Sequence, residues 1–406
     1  MYLNNYQHLK NKETYLLIFL FLLSLLVRIL AILIFGEIYL ADEWRILVND
    51  LYDYGKFSLI NFGDFFMPNL FMPPLYAFYL YCFKFFNFST ELYIQAVLIS
   101  QIILSSFSVV IFYNINKLFF SNKISILGTL IFSLFPLHIY ACSQISSVIL
   151  QSFLIIIFFY FFFKTSKKNN FFNICFLSLT SGLLILLRGE FIALFILSIL
   201  YLGLFVKMNL KNIAMIILLT IVVISPYLTR NIMLVDKIII TQSIGYNLWK
   251  GNNSEADVEG KNYRDLNLIE QINKVPKDRY YDINLDKIFL HKGIKNITNE
   301  PIKYFRLYVK KILSFLFIDL NSSYPSYYHP LHYLPVLFIS ITSIIGIILS
   351  KKNSYQMNFL ILFFIINVAL VSVFFILPRY KLAIIPLQII FSNIFFEYIK
   401  NNFFKT

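Results

Sequence analysis

The residues best suited to chemistry are two adjacent carboxylates, Asp42 and Glu43, which follow the first long apolar run of the chain. A membrane helix should leave the bilayer near this point, where unpaired carboxylates beside hydrocarbon are costly. They therefore need either a solvated position or a chemical role, such as that of a general base. An ordinary acidic pair at the boundary between a helix and a loop is the alternative interpretation.

The composition of the chain decides its class. Hydrophobic residues make up 59% of the 406 positions, charged residues only 14%, and 46 positions are Phe. A soluble protein cannot hide that much apolar surface, whereas a bilayer solvates it. The sequence therefore predicts an all-α polytopic membrane protein.

The net charge of +14 is concentrated in short hydrophilic gaps between apolar runs. This is the positive-inside pattern that sets membrane topology, and it argues against nucleic-acid binding. The cations that carry it are Lys10, Lys12, Lys164, Lys167, Lys168, Lys207, Lys211, Lys351 and Lys352. With these gaps in the cytosol, Asp42, Arg230 and Arg379 all face the extracytoplasmic side, which suggests one shared site in a multi-pass cell-membrane protein.

The pattern of apolar runs divides the chain into three parts. Residues 1–229 form an N-terminal transmembrane module whose first helix spans 15–36 and is retained, and whose first external loop is 37–73. Residues 230–303 are a hydrophilic external loop, and residues 304–406 supply an amphipathic segment and the last transmembrane helices. Within the first part, spacings of three and four after Asp42 predict an amphipathic surface helix. The run at 74–86 is shorter than the ~20 residues of a span and is expected to cross only half-way.

Three stretches, taken together, are more specific than composition. The first contains Asp42-Glu43-Trp44 and leads to Pro73-Pro74, the second runs from Pro226 to Asn231 and then from Gly245 to Asn253, and the third is Arg379-Tyr380-Lys381-Leu382. In this order they resemble the bacterial polyprenyl-phosphate-sugar glycosyltransferases of the protein-mannosyltransferase and aminoarabinose-transferase type. The resemblance implies a GT-C-like bundle of about 11–12 transmembrane helices with external juxtamembrane helices.

The resemblance also implies a reaction and roles for residues. A sugar would pass from a polyprenyl-phosphate donor to an extracytoplasmic acceptor, with inversion and with Asp42 as the base; Glu43 could orient Asp42 or act in its place. The leaving lipid phosphate needs cations, and the candidates are Arg230 and Arg379, with Tyr380 and Lys381 beside them. Each arginine could instead anchor a helix end at the lipid headgroups.

Further candidates carry less specific signals. Arg188 could contact the donor or simply pair with Glu190. Residues 245–253 are expected to pack over the site, and the candidates for substrate contact there are Tyr246, Asn247, Trp249 and Asn252. A sugar could stack on Trp249, or this side chain could be an interfacial anchor.

Two departures from the family pattern concern missing charges. Met72 stands where relatives often carry a basic residue, and residues 143–147 contain no carboxylate where many relatives have one. No motif requires a cofactor or a metal site, although the acidic pair is compatible with a divalent ion. His138, His329 and His332 are expected to be core or interfacial residues.

Two other functions compete with sugar transfer. A polysaccharide polymerase or ligase would also have a large external loop and essential arginines, but it would lack the acidic pair after the first helix. A flippase or transporter of lipid-linked sugars should carry charged residues near the middle of the membrane and show repeated halves. The apolar runs contain few central charges, Arg28 being the nearest exception.

Overall fold

The computed structural model describes residues 2–350 and 354–403, with side chains from residue 12 onward. Lys351 and Lys352, which the charge argument uses, lie outside the described residues, as does the side chain of Lys10. Almost all regular structure is helical. The helices are α1 (Tyr2–Phe35), α2 (Asp42–Tyr54), α3 (Pro74–Lys84), α4 (Thr90–Asn116), α5 (Asn122–Ser133), α6 (Pro136–Ala141), α7 (Val148–Lys167), α8 (Phe171–Leu187), α9 (Phe191–Leu204), α10 (Leu210–Val235), α11 (Ile244–Gly251), α12 (Leu266–Asn273), α13 (Tyr281–Asn299), α14 (Pro301–Leu316), α15 (Pro330–Leu349), α16 (Tyr355–Ser372), a 3₁₀ helix (Pro378–Ala383) and α17 (Ile385–Phe403).

Within residues 2–350 and 354–403, six helices are long and apolar enough to cross a membrane. They are α1 (from Lys12), α4, α7, α10, α15 and α16. The shorter helices α8 and α9 are also apolar. The predicted all-α polytopic membrane fold is confirmed, while the number of 11–12 crossings stays a prediction.

Local sequence explains where the elements differ from the predicted runs. The apolar run at 124–141 divides into α5 and α6 because Pro136 cannot continue a helix and instead starts the next one. The helix α3, at 11 residues, is about 16 Å long and so too short to cross the bilayer. Residues 37–73, which connect α1 to α3, contain α2 as predicted. They also contain an unpredicted antiparallel hairpin of β1 (Ser58–Phe62) and β2 (Phe65–Pro68). Gly63, at φ 61°, makes the turn of this hairpin.

The hydrophilic stretch after α10 folds into α11–α13 and rests on the loop that follows β2. A buried carboxylate of α13 makes this contact, and a second one joins α13 to α11. Asp282 accepts the backbone N–H of Leu70 at 3.0 Å, and Asp286 accepts that of Tyr246 at 2.9 Å. Burial raises the pKa of Asp282, while the N–H groups of Leu70 and Phe71 act in the opposite direction. The bond from Leu70 joins the hydrophilic stretch 230–303, which we call the insertion, to the first external loop.

A polar cluster joins five helices inside the bundle. The guanidinium of Arg28 on α1 is fully buried and donates to the hydroxyl of Ser105 at 2.7 Å and to the carbonyl of Ser133 at 3.0 Å. His138 lies 3.4 Å from it and 3.0 Å from the hydroxyl of Ser152. Arg28 and His138 are therefore bonded core residues, as buried polar groups must be.

Glycine permits the close packing of α15 on α17, and this generates a stability prediction. A Cβ added to Gly346 would lie 1.9 Å from the backbone carbonyl oxygen of Phe391, which cannot move aside as a side chain can. We expect Gly346→Ala to destabilise the protein by about 1–3 kcal/mol, the usual cost of overpacking. The measurement is the melting temperature of the purified protein in detergent.

Gly203→Ala is the matched control, because its added Cβ would meet only the flexible end of Ile213, at 3.4 Å. This variant should melt at or near the wild-type temperature. Equal melting temperatures for the two variants would contradict the assigned packing of α15 on α17.

Candidate functional site

Asp42 and Glu43 are the first two residues of α2, where the helix dipole stabilises negative charge. Asp42 is largely exposed, with its side chain 80% accessible, and accepts a hydrogen bond from Arg45 at 2.6 Å. Glu43 is exposed and has no hydrogen bond or ion pair to any residue that the structure describes. Both carboxylates are thus solvated and accessible, so either can accept a proton from a bound molecule.

Lys250, at the end of α11, brings positive charge to Glu43. Its ammonium group lies 4.6 Å from the ring centroid of Phe375, and the side chain is half-buried. Burial lowers the pKa of Lys250; the positive charge of Arg379 lowers it further, and the negative charge of Glu43 raises it. Glu43, Lys250 and Arg379 therefore lie close enough for each charge to act on the next.

Arg379, Tyr380 and Arg188 complete this group. The guanidinium carbon of Arg188 is 4.9 Å from the centroid of the Tyr380 ring, and that of Arg379 is 6.0 Å from it. Burial raises the pKa of Tyr380, while Arg188 and Arg379 act in the opposite direction. Arg188 also pairs with Glu190 at 3.4 Å, so the pairing expected from sequence coexists with a position beside Tyr380. We call Glu43, Lys250, Arg188, Arg379 and Tyr380 the charged cluster.

Lys381, next to Tyr380 in the chain, contacts backbone carbonyls and not the charged cluster. Its buried ammonium donates to the carbonyl of Ser314 at 2.7 Å, to that of Phe315 at 3.2 Å and to that of Phe317. These are carbonyls at the C-terminal end of α14, where a cation is favoured. Lys381 therefore stabilises a helix end and is not free to contact a phosphate.

Arg230 contacts none of the charged cluster. One terminal nitrogen donates to the carbonyl of Asn69 at 3.0 Å and to the side-chain oxygen of Asn231 at 2.7 Å, and the other donates to the carbonyl of Phe57 at 3.1 Å. Phe57 and Asn69 flank the β-hairpin, so Arg230 fastens both ends of this hairpin to α10. The structure thus separates Arg230 from the other arginines with which the sequence analysis grouped it.

The four candidates on and beside α11 lie in different environments. Trp249 is 1% exposed and packs with Leu268 and Phe289 in a small core, so it is neither a free sugar platform nor an interfacial anchor in this conformation. Tyr246 donates its hydroxyl to Asn262 at 2.8 Å, and Asn247 is half-buried.

Asn252 is buried and fully bonded. Its amide nitrogen donates to the carbonyls of Leu248 at 2.8 Å and Val373 at 3.0 Å, and its amide oxygen accepts from Lys311 at 3.1 Å. A direct substrate contact by Asn252 is not supported, because its polar atoms already join α11 to the segment after α16 and to α14.

Sequence alone does not predict the roles of two charged residues, Lys250 and Glu37. For Lys250 the available signal is a charged side chain directly after the apolar residues Leu248 and Trp249. For Glu37 no motif gives a signal. Its carboxylate accepts the N–H of Ile145 at 2.6 Å, so the 143–147 segment, which has no carboxylate of its own, receives one from the end of α1. Burial raises the pKa of Glu37, and the bond from Ile145 opposes this.

Within residues 2–350 and 354–403, no three His, Cys, Asp or Glu side chains are grouped as metal ligands are. His332 lies 2.5 Å from the carbonyl of Tyr327, and His329 accepts the N–H of Leu331 at 3.3 Å. These histidines thus make local contacts near the start of α15.

Comparison with known proteins finds likeness in structure alone. No protein-family model matches the chain, and no curated protein matches it in sequence. The crystal structure of the Archaeoglobus fulgidus oligosaccharyltransferase in the apo form matches with a TM-score of 0.56 at 14% identity, over 96% of this chain and 50% of that one. The same enzyme tethered to an acceptor peptide with the NVT sequon matches with a TM-score of 0.56 at 12% identity, over 96% and 49%.

A third structure of the A. fulgidus enzyme, in complex with Zn and sulfate, matches with a TM-score of 0.56 at 13% identity, over 95% of this chain and 49% of that one. This chain therefore spans about half the length of the proteins that it matches. At such low identity the likeness concerns the fold alone. The chain has the GT-C fold of a multi-pass membrane protein.

Proposed function

We propose that this protein is a membrane glycosyltransferase that moves a sugar from a polyprenyl-phosphate donor to a hydroxyl of a glycan, lipid or protein on the extracytoplasmic face of the cell membrane. The observation that carries the proposal is that the exposed carboxylate of Glu43, next to Asp42 at the start of α2, interacts electrostatically with Lys250, which in turn feels the charge of Arg379. The GT-C fold supports the class of enzyme, and the motif resemblance supports the donor. The A. fulgidus enzyme was crystallised with an acceptor peptide, which makes a peptide one of the acceptor classes to test.

The proposed reaction needs a base for the acceptor proton and cations for the leaving phosphate. The acceptor oxygen attacks the anomeric carbon while Asp42, or Glu43 beside it, takes the hydroxyl proton. The bond from that carbon to the phosphate oxygen breaks, and its electron pair leaves with the polyprenyl phosphate. Attack opposite the leaving group inverts the anomeric carbon.

The leaving phosphate gains charge as this bond breaks, and preformed cations stabilise such charge. Arg379 and Arg188 both offer planar guanidinium groups beside the Tyr380 ring, and Lys250 adds a third positive charge. Arg230 is bonded to backbone carbonyls elsewhere, so in this proposal it supports the hairpin and does not touch the phosphate.

The acidic pair gives the first functional prediction. Asp42→Asn should reduce the release of polyprenyl phosphate from a polyprenyl-phosphate sugar by about 10²–10⁴-fold, because the acceptor proton loses its base. Release is measured with purified protein and a set of candidate acceptors. Glu43→Gln in the same assay identifies which carboxylate takes the proton.

Asp53→Asn is the matched control, because Asp53 is an exposed carboxylate on the same helix α2. It should keep wild-type release. Full release by a double variant that carries both Asp42→Asn and Glu43→Gln would overturn the assignment of the base to this pair.

Lys250 gives a prediction on pH dependence. The folded-state pKa of Lys250 lies below its ordinary value of 10.5, so as pH rises this cation is lost earlier than that of a solvated lysine. We expect the release rate to fall on the alkaline side with an apparent pKa below 10.5. Lys250→Arg should move this fall to higher pH, since arginine stays charged.

Lys250→Met should lower the rate about 10–100-fold at neutral pH, the usual effect of losing a hydrogen bond to a charged group. Lys261→Met is the control, because Lys261 is exposed and pairs only with Asp257, at 3.4 Å. An unchanged alkaline limb in Lys250→Arg would show that another group causes the fall.

A further inference from the structure

A concave surface lies at the far end of α2, about 18 Å along this helix from Asp42. It has a volume of about 830 Å³, within the range of ligand pockets. The residues after α2, the β-hairpin, the start of α3 and the ends of α8 and α10 form its walls. We call it the hairpin groove. None of Glu43, Lys250, Arg188, Arg379 or Tyr380 lines it.

The walls of the hairpin groove are mostly apolar. Phe57 and Phe78 stack with ring centroids 5.6 Å apart, and Val223 and Pro226 of α10 face them. Phe78 is 39% exposed and Met233, also a lining residue, is 76% exposed. Because α10 is one of the helices able to cross the membrane, this apolar wall continues the surface that meets lipid chains.

The polar lining of the groove is dominated by cations. Lys56, Arg230 and Arg279 line it, against a single carboxylate, Asp64. Arg279 pairs with Asp236 at 2.9 Å, outside the lining. The other two cations lack a carboxylate partner among the residues that the structure describes.

The side chain of Lys56 is exposed and makes no described hydrogen bond or ion pair, and the described side-chain bonds of Arg230 go to neutral oxygens. Two positive charges beside an apolar wall at a helix end are therefore not balanced by acidic partners. An amphipathic anion balances them, with its charged part on the cations and its apolar part on the wall. Basic pockets beside transmembrane helices bind anionic lipid headgroups in this way.

We propose that the hairpin groove is a binding site for a membrane phospholipid with a net negative headgroup. The phosphate lies by the side chain of Lys56, while Arg230 keeps its bonds to the hairpin and adds only its positive charge, and an acyl chain runs along Phe57, Phe78 and Val223. The site is separate from the charged cluster and does not depend on the proposed sugar transfer, because its occupant is identified by the charge and shape of the groove alone. Bound lipid would hold the hairpin, and with it the first loop, at the membrane surface.

The test is lipid binding to the full-length protein in detergent, with Phe78→Trp as a fluorescent reporter in the groove. Because the chain also contains Trp44 and Trp249, the readout is the fluorescence that Phe78→Trp adds to the signal of the protein without this change. Brominated phosphatidylglycerol should quench this added fluorescence at concentrations about 5-fold lower than brominated phosphatidylcholine, the effect expected for one or two nearby cations. Adding Lys56→Gln should reduce this preference to below about 2-fold. The bonds of the native fold do not involve the Lys56 side chain, so the substitution leaves packing unchanged.

Lys287→Gln is the matched control, because Lys287 is exposed on α13, makes no described side-chain bond and does not line the groove. It should keep the wild-type preference. Native mass spectrometry of the otherwise unaltered protein with mixed lipids gives an independent reading if the Phe78→Trp reporter folds poorly: retained phosphatidylglycerol should fall in Lys56→Gln and not in Lys287→Gln.

Three results would overturn the proposal: equal quenching by the two lipids, equal effects of Lys56→Gln and Lys287→Gln, or displacement of brominated phosphatidylglycerol by an equimolar polyprenyl phosphate. The last would assign the groove to the glycosyl donor. None of these readings uses activity, so the lipid site and the proposed function can fail separately.

Discussion

The contact of α11 with the segment after α16 is the constraint on which the charged cluster depends. A Cβ on Gly251 would lie 1.9 Å from the carbonyl oxygen of Phe374, so only glycine allows this approach. Lys311 then donates to the carbonyl of Gly251 at 2.7 Å and to Asn252 at 3.1 Å. Because Lys250 immediately precedes this contact and Arg379 follows Phe374 by five residues, the same packing that closes the insertion brings the two cations together.

The insertion is held at its other side by carboxylates. Asp282 and Asp286 accept backbone N–H groups from the loop after β2 and from α11, which ties both of these segments to α13. Bonds of this kind satisfy buried donors and are expensive to lose. The position of α2 relative to α11, and so of Glu43 relative to Lys250, follows from these attachments as well as from the transmembrane helices.

Positive charge at this end of the bundle serves three different purposes. Arg188, Arg379 and Lys250 form the charged cluster with Glu43 and Tyr380, Lys381 stabilises the end of α14, and Arg230 fastens the β-hairpin beside an apolar groove. In sequence, these cations look alike, since each follows or interrupts an apolar run. Their roles differ because an arginine or lysine is assigned by the acceptors within its reach, and those acceptors come from other segments.

Inside the bundle, the role of Arg28 is also set by the acceptors within its reach, and here these acceptors are hydroxyl and carbonyl oxygens. Its donors are satisfied by the hydroxyl of Ser105, by the carbonyl of Ser24 on its own helix and by that of Ser133 on α5, with His138 beside them. A charge in the middle of an apolar run is a signal for transport when it lines a pathway. Here it is bonded within the core, so its presence does not favour a transporter.

The sequence by itself determined the class of protein, most of the helices and the placement of Asp42 and Glu43 at the start of α2. These features follow from local quantities: apolar content, helical periodicity, and the positions of proline and charge. Only the tertiary structure decided that Trp249 and Asn252 are buried, that Glu37 reaches Ile145, that Lys250 joins Arg379, and that Arg230 stands apart. Each of these depends on contacts between residues far apart in the chain, and no local pattern specifies which distant segment will satisfy a given side chain.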